Sequence, residues 1–117
     1  MPDYEKPFDF EERTFLFAKR VRAWIKSPPR TICNLEDAKQ LVRASGSVAA
    51  NYVEANEAVS RKDFQHKARI SRREAKESKV FLRLIDTNGD PSLDSERDKL
   101  IAETIELIKI LSKMIGG

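Results

Sequence analysis

A single cysteine, Cys33, leaves the chain without any internal disulfide, and such sparse use of cysteine points to a reducing compartment. Histidine is equally scarce: His66 stands alone, with no second imidazole or thiol at metal-ligand spacing. No apolar run approaches the ~20 residues that a membrane span needs. The start, Met1-Pro2-Asp3-Tyr4-Glu5, has neither a basic region nor an apolar stretch, so no secretory signal is expected. These absences together place the chain in the cytoplasm. Gly occurs four times and Pro five, mostly at the start, at Pro28-Pro29, from Asn88 to Pro91 and at Gly116-Gly117. Between those breaks run long segments with no strand-like alternation, no internal repeat and no low-complexity stretch.

What fills the segments is helical periodicity. The 117 residues suffice for one domain, 1–117, with a single core. Residues 1–8 read as an extended arm, because Pro2 and Pro7 discourage helix. Asp9 then reads as the N-cap of a first helix to about Lys26, with Phe10, Thr14, Phe17, Val21, Trp24 and Ile25 inward. Ser27-Pro28-Pro29 ends it. Asn34, followed three residues later by Asp37, resembles a capping arrangement for a second helix to about Ala58. Its stripe is Leu41, Ser45, Val48, Tyr52, Ala55 and Val59, with Ala44, Gly46, Ser47, Ala49 and Ala50 as small neighbours. Gly46 inside a helix costs roughly 1 kcal/mol against Ala unless something gains from the lost Cβ. Ser60 and Asp63 repeat the capping pattern for a third helix to about Asp86, with Phe64, Ala68, Ser71, Ala75, Ser78, Leu82 and Ile85 inward. Thr87 to Pro91 is the clearest turn. A fourth helix from about Ser92 to Ile115 turns Leu93, Leu100, Thr104, Leu107, Leu111 and Met114 inward. Four such helices with short links define an all-α, antiparallel up-down four-helix bundle.

Charge is where the sequence departs from an ordinary bundle. The formal net charge is only +3. Residues 61–83 nonetheless hold nine basic and three acidic side chains, whereas residues 84–117 hold four basic and seven acidic. At 100° per residue, Lys62, His66, Arg69, Arg72, Arg73, Lys76, Lys79 and Arg83 occupy just under half of the third helix, opposite its core stripe. Cations spaced ~5 Å apart along a helix suit a polyanion backbone, where each neutralised phosphate releases a counterion. An ordinary solvated face, or cations answering acids on another subunit, has the same pattern. No aromatic residue interleaves the row, so stacking on single-stranded bases is not expected.

Other candidate sites are structural or fail. Glu74 falls in the apolar arc of the third helix and needs a partner there. Arg43, Asn51 and Arg72 are candidates, and Glu54 joins them as a possible member of one polar cluster that fixes helix register. Phe15, Leu16, Ile105 and Ile110 lie off the core stripes of the first and last helices, which points to an oligomer interface. Asp86, Asn88 and Asp90 alternate as in a calcium loop, but Pro91 and Arg97 stand where Gly and Glu are needed. Cys33 lacks a catalytic partner, and no strand precedes Ser45 or Ser47 as a nucleophile elbow requires. No Gly-rich phosphate loop is present. No enzyme, metal site or cofactor is expected.

The stretch Arg43-Ala44-Ser45-Gly46-Ser47-Val48-Ala49-Ala50-Asn51-Tyr52-Val53-Glu54 carries a resemblance, together with Phe64 and Arg69-Ile70-Ser71-Arg72-Arg73-Glu74-Ala75 to Ser78. Both resemble the bacterial four-helix-bundle family that includes proteins encoded in intervening sequences of 23S ribosomal RNA genes. The likeness runs from about Phe8 to Met114. Ala55-Asn56-Glu57 departs from it, since many relatives continue with Gly and a basic residue. The resemblance implies a ring-like homopentamer. It also implies kinship with the accessory protein of diversity-generating retroelements, which binds nucleic acid and a reverse transcriptase through a basic surface. Asn51, Glu54 and Glu74 correspond to family motif positions, and the basic residues of the third helix to a binding face for RNA or DNA. The competing expectation is a scaffold module that docks a partner protein and has no nucleic-acid role.

Overall fold

A computed structural model describes residues 7–116, with side chains from Asp9 onward. Four helices follow one another: α1 (Pro7–Trp24), α2 (Ile32–Asn56), α3 (Arg61–Leu84) and α4 (Pro91–Gly116). Cross-helix bonds establish the antiparallel order. Arg13 pairs with Glu103 and Arg20 with Glu96, so α4 descends as α1 ascends. Glu54 with Lys67 and Arg43 with Glu74 do the same for α2 and α3. The helices therefore form an up-down four-helix bundle. None of them is long and apolar enough to cross a membrane.

Local chemistry accounts for the helix ends, and two starts differ from expectation. The first helix begins at Pro7, so Asp9 sits in its first turn and is not the cap. Proline at a first helical position loses no hydrogen bond, because that N–H has no partner in any helix. Most of the expected arm, residues 1–6, lies outside the described residues. The cap of α2 is Thr31, whose hydroxyl accepts from the Asn34 N–H. Asn34 is instead buried, and its amide donates to the carbonyls of Pro29 and Asp86 while its oxygen accepts from the Asp86 N–H. One side chain thus ties the α1–α2 link to the α3–α4 link. Ser60 caps α3 as its spacing predicts, accepting from the Asp63 N–H. Asp90 caps α4 by accepting from the N–H groups of Ser92 and Leu93. Before it, Asn88 and Gly89 take φ of 56° and 73°, and the Asp90 N–H closes the turn onto Thr87. Gly at the second of those left-handed positions avoids a Cβ clash.

Apolar stripes from all four helices meet in one core that includes Phe10, Phe17, Tyr52, Leu82, Leu100, Leu107 and Leu111. Phe10 meets Tyr52 edge to face with ring centroids 4.6 Å apart. Between α2 and α3 the contact is made by small residues, Ala44, Ala68, Ser71, Ala75 and Ser78, all buried. Ser71 donates across that seam to the Val48 carbonyl at 2.8 Å, a contact only closely packed backbones permit. Val59, expected on the α2 stripe, is 96% exposed, because α2 ends at Asn56 before the stripe reaches it.

Candidate nucleic-acid interface

The outward arc of α3 is set by its amphipathic period. Ala68, Ser71, Ala75, Ser78 and Leu82 are buried, and the positions opposite them are solvated. Lys62, His66, Arg69, Arg73, Lys76 and Arg83 are exposed, while Arg72 and Lys79 are half-buried at the edge facing α4. Several cations off this arc are neutralised. Arg13, Arg20, Arg43, Lys67 and Arg97 each meet a carboxylate at 2.8 to 3.4 Å. The hydrogen bonds that Arg13, Arg43 and Lys67 donate to Glu103, Glu74 and Glu54 respectively raise the pKa values of these cations. Among the described residues, Lys62, Arg69, Lys76, Lys79 and Arg83 form no ion pair. Arg73 reaches only Glu77, at 4.0 Å, and Arg72 donates to the Ser112 hydroxyl at 3.2 Å.

The expected polar cluster divides. Arg43 donates to Glu74 Oε2 at 3.2 Å, and Ser47 donates to the same oxygen. Asn51 donates to Ser47 Oγ at 2.8 Å and to its carbonyl. Arg43 also reaches Glu77 at 3.0 Å. Glu54 lies outside this network and pairs with Lys67 at 2.8 Å. Arg72 faces α4, so it is no partner of Glu74. Glu74 is 6% exposed, and its Oε1 is buried without a hydrogen-bond partner. This network joins α2 to α3 and exposes no carboxylate pair to a cleft.

The expected interface residues do not share one face. Phe15, Leu16 and Ile105 are exposed. Ile110 is a correction: it is 7% exposed and belongs to the core, because the α4 stripe is wider than a strict step pattern marks. Phe15 borders a groove against α2, and Leu16 borders a separate one against α4. Among the described residues no group of His, Cys, Asp or Glu is arranged to hold a metal ion. Asp86, Asn88 and Asp90 are engaged in the turn, with Asp86 accepting from the Asn88 N–H and Asp90 serving as the cap. Sequence reasoning missed the Asn34 bridge, since its spacing from Asp37 reads equally well as a cap.

The fold and surface define a class: an up-down four-helix bundle with one helix face of unneutralised cations. The chain belongs to the 23S rRNA-intervening sequence protein family, whose family model matches residues 7–113. Among solved structures, a protein of unknown function from the S23 ribosomal protein family of Bacteroides thetaiotaomicron is similar to it. That structure superposes with a TM-score of 0.75 at 26% identity, covering 92% of this chain and 98% of the other. No curated protein matches the chain.

Proposed function

We propose that this protein is a non-enzymatic, cytoplasmic, homo-oligomeric bundle that binds structured RNA or DNA through the outward arc of α3. The observation that carries the reading is the density of cations on the outward arc of α3, where Lys62, Arg69, Lys76, Lys79 and Arg83 meet no carboxylate among the described residues. A straight cationic face of this kind meets a phosphate backbone without reading bases, so binding is weakly sequence-specific. The family resemblance supports a ring of five copies, and the exposed Phe15, Leu16 and Ile105 supply apolar surface for self-association.

Fluorescence anisotropy with a labelled RNA duplex tests the reading. Arg69→Glu with Lys76→Glu is expected to weaken binding at least tenfold while leaving helicity and particle size unchanged. Binding that survives the double reversal contradicts it. In that case the scaffold reading takes over, in which the arc meets an acidic partner protein.

A further inference from the structure

At the end of the bundle away from the start of α1, the α1–α2 link folds over the first turns of α2 and leaves an apolar pocket of about 470 Å³. Ile25, Pro28, Leu35, Ala38, Val42 and Ile85 line it, and Ile85 is part of the core. Its volume lies in the range of small-molecule sites, which are apolar with a few polar groups that orient the guest. The walls are fixed before any guest arrives. Pro28 is buried, and its ring restricts the backbone of the link. Asn34 stitches that link to Asp86, donating to the carbonyls of Pro29 and Asp86 at 2.8 Å and accepting from the Asp86 N–H. A preformed wall lowers the ordering cost of binding.

The polar complement of the pocket is one-sided. Arg30 and Lys39 are its charged lining residues, and no Asp or Glu lines it. Three other grooves on the described surface each include a glutamate: Glu12 with Glu103 between α1 and α4, Glu106 beside Arg13, and Glu11 with Glu12 against α2. Asn34 commits both amide hydrogens to the two carbonyls, so it offers a guest no donor. Among the described residues Arg30 makes no side-chain hydrogen bond and no ion pair. Lys39 reaches only Glu36, at 3.7 Å, and the two side chains are 74% and 68% exposed, so the pair is loose. At about 100° per residue, Glu36 and Asp37 lie about 100° or more around α2 from Leu35, Ala38 and Val42, on its side toward α3. Asp86, which follows Ile85, is held in its turn by accepting from the Asn88 N–H. The free side-chain donors at this pocket are thus cationic, and they select a charged acceptor over a neutral one.

We propose that this pocket binds a small apolar carboxylate, with its aromatic or branched body against Leu35, Ala38 and Val42 and its charge on Arg30 and Lys39. The site is independent of the nucleic-acid arc on α3. Arg30 supplies the planar fork that matches a carboxylate, and Lys39 adds a second charge from α2. Leu35 is 38% exposed, and the guest covers the apolar surface it leaves open.

Equilibrium dialysis of the full chain against 2-naphthoate and 2-naphthamide tests the proposal, because the two probes share one ring system and differ in charge. Naphthoate is expected to bind at least fivefold more tightly than naphthamide. Arg30→Gln, at an exposed position, is expected to weaken naphthoate about fivefold and to leave naphthamide unchanged. Ala38→Phe fills the pocket and is expected to abolish binding of both probes in a chain of unchanged helicity. Should that variant not fold, Leu35→Ser replaces it, with at least threefold weaker binding of both probes expected. Arg69→Glu with Lys76→Glu is expected to leave naphthoate binding as it was. Equal affinity for the two probes overturns the proposal, as does an absence of binding or binding that survives Ala38→Phe in the folded chain. Undiminished binding to Leu35→Ser overturns it in the same way. Loss of binding in the α3 double variant also overturns it, and assigns naphthoate to the nucleic-acid arc.

Discussion

Asn34 and Thr31 exchange the roles that spacing alone suggests, and the difference is measurable. Thr31→Ala removes a cap and is expected to cost about 1 kcal/mol. Asn34→Ala strips a buried donor from two carbonyls and a buried acceptor from the Asp86 N–H, so about 2–3 kcal/mol is expected. Urea denaturation of the two variants checks the order; equal losses would contradict the bridging role. Glu74 is the other residue whose surroundings decide its part. Glu74→Gln keeps its shape but discards the charge that Arg43 meets from a half-exposed position. A loss of about 1–2 kcal/mol is expected, and unchanged stability would remove the network's role in register. Tyr52 sets a limit at high pH. Burial pushes its pKa from 10.0 up to about 12, so the neutral phenol is favoured in the fold. That contribution is present in full below pH 10 and is lost as pH rises from about 10 through about 12. Its size is roughly 2–3 kcal/mol at about 1.4 per pKa unit. Tyr52→Phe is expected to flatten this part of the stability–pH curve.

At the scale of elements, the helices were largely legible because core stripes at steps of three and four are dictated by burial. The inward residues of α3, from Ala68 to Leu82, are those its sequence marks. The turn from Thr87 to Asp90 was legible for a related reason, since Asn-Gly supplies the two left-handed positions it needs. Helix starts were less legible. Thr31, Asn34 and Asp9 are all good capping residues, and only the tertiary contact with Asp86 shows what Asn34 does. Ile110 was misread because the boundary between core and surface on α4 depends on how far α1 leans over it. The α3 arc carries its own prediction. Its cations make few bonds to the bundle, so Arg69→Glu and Lys76→Glu are each expected to change stability by less than about 0.5 kcal/mol. A larger loss, read from thermal melting, would mean the arc serves the fold.

The whole molecule combines a neutralised interior frame with one cationic face. Ion pairs at Arg13, Arg20, Arg43 and Lys67 fasten neighbouring helices to each other, while the α3 row gathers eight basic side chains on one helix arc. That row was legible in the sequence, since residue type and angle suffice to place it. Its lack of acidic partners was not, because pairing depends on which helix packs beside which. The most direct measurement is duplex affinity as a function of salt. If phosphates are what the row meets, log Kd rises linearly with log salt. Neutralising four to six phosphates gives a slope of about 4 to 5, falling by about 1 for each arc cation removed. A flat salt dependence, or a slope unchanged when Arg69 and Lys76 are reversed, would contradict the assignment.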